Sequence, residues 1–469
     1  MPAWGLLAGM VLSAGCAWQR YEPAALDREH VAQTSARQGL ADADLGARMT
    51  QLGAVSAWPP AAWTPMQLGL VAALRSPAVR DARALVGSAR AGRAVAARRA
   101  NPNVALALEH HGDKDGDQAG HWSVGPSIEF SLSPQSRRRI AVALAGVAVV
   151  AARVEVLERA WQARDAGLVA ALDVLEQRNL ASLAAGEEAA RAAVVASARA
   201  EVAAGVDYAF EWQTLELEAN DARLARLDLR RAQSRAEAAL AQSLMVTTDA
   251  LDGLTLSATP AAGSLDYAAL QAHALNEHPR VLRALADYDQ AEHALAMAVA
   301  EQYPELRLSP GYFFDQGDNV WSLVGGVVVP LFASHDATIR QASVARDAAR
   351  EYFHAVQATT LAELRAAWAE WQAALANDEA THAVARDIEA SVAALHARER
   401  DGLVDKLVVA RARLQQAQLA SHLAASAAST RRARAALEMT ARAPLDDAPF
   451  ARYLNELHAE DERLEQTRP

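Results

Sequence analysis

The side chains best suited to chemistry cluster in one short stretch. His110, His111 and His121 bracket Asp113, Asp115 and Asp117 in HHGDKDGDQAGH. Imidazole and carboxylate are ligands for a divalent cation, so a metal site is conceivable there. The same Gly/Asp-rich composition describes a solvated tip between two strands, which is the simpler reading. Cys16 is the only cysteine, which excludes an internal disulfide framework and a Cys-based zinc site. No P-loop, HExxH or G-x-S-x-G is present. Chance carboxylate pairs are expected among 57 acidic residues, so they argue for nothing. These residues describe a protein that is not an enzyme and needs no cofactor. A net charge of −11 and the lack of a basic cluster interleaved with aromatics argue against nucleic acid.

The stretches on either side of that loop alternate with a period of two, the signature of strands. Val104, Leu106 and Leu108 share one face of the first. Trp122, Val124, Ile128, Phe130 and Leu132 share one face of the second, and Ser123, Gly125, Ser127, Glu129 and Ser131 the other. Such a hairpin needs surroundings that are apolar on one side and small and polar on the other, as a barrel wall between lipid and water is. The rest of the chain is Ala-rich with helical period. At 52% hydrophobic but 5% aromatic, it suits tightly packed helices.

The chain opens with an apolar run too short to span a membrane, read as a signal peptide over 1–15. Leu12-Ser13-Ala14-Gly15-Cys16 resembles a bacterial lipobox, which makes Cys16 the expected lipidation site, for example with palmitate, and a tether rather than a span. Residues 16–65 read as an extended arm, and the acidic tail over 446–469 as loosely packed or disordered. The apolar run 140–152 follows Arg137-Arg138-Arg139. Thirteen residues cannot cross a bilayer, so it reads as a helix buried on all sides just below the strands.

The chain then repeats. LRSPAVRDARA around Pro77 recurs as NEHPRVLRALA around Pro279, and Pro102 recurs as Pro304, both at an offset of 202. The first repeat, 66–260, holds a hairpin at 103–132 and a helical hairpin at 136–244. The second, 261–445, holds a hairpin at 305–332 and a helical hairpin at 336–440. Trp161, Leu168 and Leu175 in one arm, and Phe210, Leu217 and Leu224 in its return, are spaced by seven, so the two arms should wind round each other. Four strands cannot close a barrel, and open edges are not tolerated in lipid. Copies must therefore share one. Two would give eight strands filled by side chains, and three would give twelve around a lumen.

The two-copy layout, the Pro102 and Pro304 strand starts, Val327-Val328-Val329-Pro330-Leu331-Phe332 and two glycine turns together resemble the TolC family of outer-membrane efflux proteins. The resemblance implies a mainly α fold with duplicated coiled-coil hairpins, and four strands per protomer contributed to a shared twelve-stranded trimeric barrel. It implies location in the outer membrane of a Gram-negative bacterium. It also implies export of small molecules or ions received from a periplasmic adaptor protein and an inner-membrane pump of the RND type. Gly205-Val206 and Gly402-Leu403 resemble the family's helical tips, where the adaptor docks. Some relatives carry aspartates six and nine positions past the second tip glycine, as an acidic ring at the pore entrance. Here those places hold Val408 and Arg411, leaving Glu211, Asp207 and Asp405 as the candidates for negative charge. The rival reading is a soluble periplasmic coiled-coil adaptor or structural lipoprotein. Drug, metal-ion and protein cargoes are not separated by any sequence feature.

Overall fold

In a computed structural model, residues 20–29, 33, 39–110, 122–132, 134–205, 209–258, 265–315, 318–327 and 335–466 are described. Short helices come first among the described elements. After α1 (Ala43–Gln51), α2 (Pro65–Arg75) begins at a capping box in which Thr64 and Gln67 satisfy each other's backbone N–H groups. The region read as an extended arm thus contains a helix, and Leu45, Met49 and Leu52 bury into the main core. The next helix, α3 (Pro77–Ala96), is capped by Ser76, whose hydroxyl accepts from Val79 N–H at 3.3 Å.

Strands β1 (Asn103–His110) and β2 (Trp122–Leu132) follow. Then comes α4 (Gln135–Ala203), 69 residues and hence about 100 Å long. The chain reverses into α5 (Ala209–Ser243), and a parallel bridge between Trp63 and Leu256 ties the segment after it to the N-terminal region. The layout repeats as α6 (Tyr267–Asn276), α7 (Pro279–Ala300), β3 (Leu306–Asp315), β4 (Asp318–Val327), α8 (Asp336–Arg400) and α9 (Lys406–Ala441). Even the caps correspond. His278 stands 202 residues after Ser76, each precedes a proline at the first helical position, and the imidazole Nδ1 accepts from Arg280 N–H at 3.0 Å.

The strands form one antiparallel sheet in the order β1-β2-β3-β4, so β1 and β4 are open edges. The register puts Val104 opposite Ile128, Phe130 opposite Leu308, Leu132 opposite Leu306, and Tyr312 opposite Trp321, all on one exposed apolar face. Ser123, Gly125, Ser127 and Ser131 lie on the other, as the alternation requires. Phe313 shares that inner face, its ring so close over Gly125 that a Cβ there would overlap it.

Three further expectations are corrected. The run 140–152 is only partly covered within one chain. Val149 is buried, but Val150 is 48% exposed, because only part of the surface of α4 meets α3 and α7. In the helical pair, Trp161 and Leu168 are buried, whereas Leu217 and Leu224 are 66% and 61% exposed. The return helix instead buries Trp212, Leu215, Leu229 and Leu240 partly or wholly, a different stripe of the same surface. The acidic tail is not loose. It forms α10 (Ala448–Gln466), which inserts Phe450, Tyr453 and Leu457 into the main core beside Trp161.

Candidate functional site

Both tips are built from local rules. At the second, Gly402 N–H donates to the Glu399 carbonyl at 3.0 Å and Leu403 N–H to the Arg398 carbonyl at 2.9 Å. This is the Schellman pattern that ends a helix with a residue of positive φ. Gly402 has φ +71° and Gly205 has φ +90°, with open space around both, so backbone conformation rather than crowding favours glycine. Asp405 then caps α9, its carboxylate accepting from Leu407 N–H at 3.3 Å.

The two hairpins are locked together just behind the tips. Val194 and Ala198 of α4 pack with Leu407 and Ala410 of α9, flanked by Trp212, Leu215 and Leu414. Arg199 lies over the Trp212 ring at 5.1 Å and pairs with Glu216 at 2.6 Å. The turn beyond this plug projects freely, and Leu403 at its end is 74% exposed. Val408 is exposed one turn behind, and Arg411 is exposed but engaged. Glu211 is placed only by its backbone, in the first turn of α5. Val206 and Asp207 lie outside the described residues, as do Cys16, His111, the loop aspartates, His121 and 328–334. Among the described residues no cluster of potential metal ligands occurs.

Sequence reasoning missed a buried ionic centre midway along α4. Arg164 is fully buried, 2.6 Å from Glu438 and 2.9 Å from Asp447, with its guanidinium 5.4 Å over Trp161 and 5.0 Å over Phe450. Beside it, Arg442 pairs with Asp165 and, at 2.8 Å, with Glu158. Burial pushes Glu438 up to about 8 against the attraction of Arg164, and burial likewise raises Asp165. Burial disfavours charge on Arg164 too, but Glu438, Asp447 and Asp165 outweigh it and its pKa is raised. The centre joins α4 to the end of α9 and the start of α10, nearly three hundred residues further along the chain.

No protein-family model matches the sequence, and no curated protein does. Solved structures do match. The outer membrane protein VceC of Vibrio cholerae is 17% identical with a TM-score of 0.64, covering 80% of this chain and 95% of VceC. The outer-membrane channel OprN is 16% identical with a TM-score of 0.65, covering 91% of this chain and 98% of its own. The fold is that of the TolC-like outer-membrane channels. The Campylobacter jejuni outer membrane channel CmeC agrees, at 10% identity and a TM-score of 0.64, with 94% of each chain covered. At such identities the likeness carries the architecture, and the TolC-like layout expected from the duplicated hairpins is what the structure has.

Proposed function

We propose that the protein is the outer-membrane channel of a tripartite efflux system in a Gram-negative bacterium. Three copies close a twelve-stranded barrel, four strands from each, and their long helices continue it as a periplasmic tunnel. The observation that carries this reading is the sheet. It has two unpaired edges, one exposed apolar face and an opposite face made largely of serine, glycine and alanine with Phe313, Val320 and Val324 among them, an arrangement that lipid outside, water inside and strand pairing between copies would satisfy together. Trp122 and Trp321, exposed near the loop end of that face, suit an aromatic girdle. The outward Leu217 and Leu224 supply apolar surface for a neighbouring copy along the tunnel.

In this reading the tips Gly205-Val206 and Gly402-Leu403 meet a periplasmic adaptor, and an inner-membrane pump, of RND type, selects the cargo of small molecules or ions. Cys16 carries a lipid that tethers the arm. Negative charge at the entrance comes from a ring of Glu211, or from Asp405 and Asp207 nearer the tips, while Val408 and Arg411 stand where some relatives carry an acidic ring. Likeness in fold to the Neisseria gonorrhoeae MtrE outer membrane channel, whose open state is known, supports a passive duct.

Planar-bilayer recording on detergent-purified protein tests the proposal. Discrete conductance steps are expected, with cation selectivity weakened by E211Q and strengthened by R411Q. A preparation that stays soluble without detergent and never conducts would return the chain to a periplasmic coiled-coil role.

A further inference from the structure

In a chain of net charge −11, arginine is concentrated at the foot of the first hairpin, whereas the foot of the second also carries Glu301, Glu305 and Asp336. Between Asp81 and Glu155, the segments flanking the first hairpin carry nine arginines and no carboxylate. Topology gathers several of them at the base of the sheet. Arg98 and Arg99 lie between the end of α3 and the start of β1, Arg138 and Arg139 in the first turn of α4 after β2, and Arg340 early in α8 after β4. The register brings those strand ends together, with Asn103 opposite Glu129, and Leu132, Leu306 and Val327 in one row.

Two further observations set this level apart from an ordinary solvated surface. These five arginines form no ion pair among the described residues, although pairs run along the helices below, such as Arg191–Glu187, Arg199–Glu216 and Arg226–Glu188. The neighbouring Arg137 is spent differently, donating to the carbonyls of Ala300, Glu301 and Tyr303 and so fixing α7 against α4. Directly above the arginines the sheet turns apolar, with Val104, Leu132, Leu306 and Val327 exposed, and Tyr303, 62% exposed, stands at the boundary. Cations beneath an aromatic and an apolar wall are the order in which a bilayer presents headgroup phosphate, interface and acyl chain.

We infer that Arg98, Arg99, Arg138, Arg139 and Arg340 form a basic collar that binds the headgroups of anionic phospholipid in the leaflet next to the helices. The collar rests on the barrel reading above. It would fix the depth of the barrel and draw anionic lipid to its base, since each arginine near a charged surface adds about fivefold in lipid partitioning.

The test uses the full chain in neutral phosphatidylcholine vesicles and in vesicles with a share of phosphatidylglycerol. Vesicle flotation reads insertion, and native mass spectrometry of the extracted protein reads retained lipid. The wild type is expected to insert into both and to retain phosphatidylglycerol over phosphatidylcholine. R98Q/R99Q/R138Q/R139Q should still insert and lose that preference at least tenfold. R223Q/R230Q/R386Q/R398Q, the same charge removed from exposed helix positions, should keep it. An unchanged preference in the collar variant, an equal loss in the control, or release of the lipid by inorganic phosphate at constant ionic strength would overturn the collar while leaving the barrel standing. Failure of the wild type to insert into either vesicle would overturn both.

Discussion

The two repeats share a blueprint but not an interior. Arg164 and Arg365 are each the thirtieth residue of the long helix in their copy. The first is fully buried among Glu438, Asp447, Trp161 and Phe450, whereas the second is exposed to solvent. The first copy is wrapped by the N-terminal helices and by α10, and the main core forms there. The second keeps a smaller core around Leu364, Trp371 and Leu437. Duplication supplies the strands, the turns and the long helices. The chain's two ends then bury one copy and leave the other open.

Matched substitutions in the two copies should therefore behave unequally. R164A leaves Glu438 and Asp447 buried without their cation and should cost about 3–5 kcal/mol. R365A should cost less than about 0.5 kcal/mol. Thermal unfolding of the two purified variants compares them, and equal shifts would remove the asymmetry. F450A empties the place of a fully buried ring and should cost about 3–5 kcal/mol. Deleting 446–469 should resemble F450A rather than the trimming of a free tail, with limited proteolysis as the readout.

The tips should instead behave alike. G205A and G402A each force a side chain into positive φ, for about 1–2 kcal/mol of local strain in a turn with open space around it. Both should impair export before they impair folding, and a bulkier G205W/G402W double variant should abolish export with the barrel still assembled. Normal drug or metal tolerance in cells expressing that double variant would refute the tip assignment.

The effect confined to acid concerns the paired caps. Burial, with help from Arg442 and Arg280, holds His278 at about 4, below its ordinary 6.5. The unfolded chain therefore takes up a proton before the folded chain does. This contribution to stability is complete above about 6.5 and is lost as pH falls through about 4. Serine, as at Ser76, caps without titrating. H278S should match the wild type near pH 7 and lose less stability between pH 6.5 and pH 4.5, as melting curves at the two pH values would show.

Much of this architecture is legible in the sequence, because strands and reversals leave local marks. Alternation fixed which face of β2 is apolar, and Gly205 and Gly402 marked turns that backbone geometry requires. What was hidden depends on residues far apart in the chain. Nothing in the spacing of Arg164 announces partners at Glu438 and Asp447, nearly three hundred positions away. The heptads at Leu217 and Leu224 are genuine, but a spacing of seven says only that a stripe exists, not whether its own chain covers it. The helix α10 did carry a signal, since Asp447 followed by Pro449 marks a helix start and its carboxylate accepts from Phe450 N–H at 3.2 Å. Acidic composition outweighed it.

The central claim is that open edges of the sheet meet between copies. Single cysteines placed at positions stepping along β1, each combined with L323C on β4, would test it in cells without any purification. At the correct register, oxidation should give a ladder of linked chains that stops at three and collapses on reduction. A ladder that stops at two, or chains that stay single at every register, would contradict the shared twelve-stranded barrel.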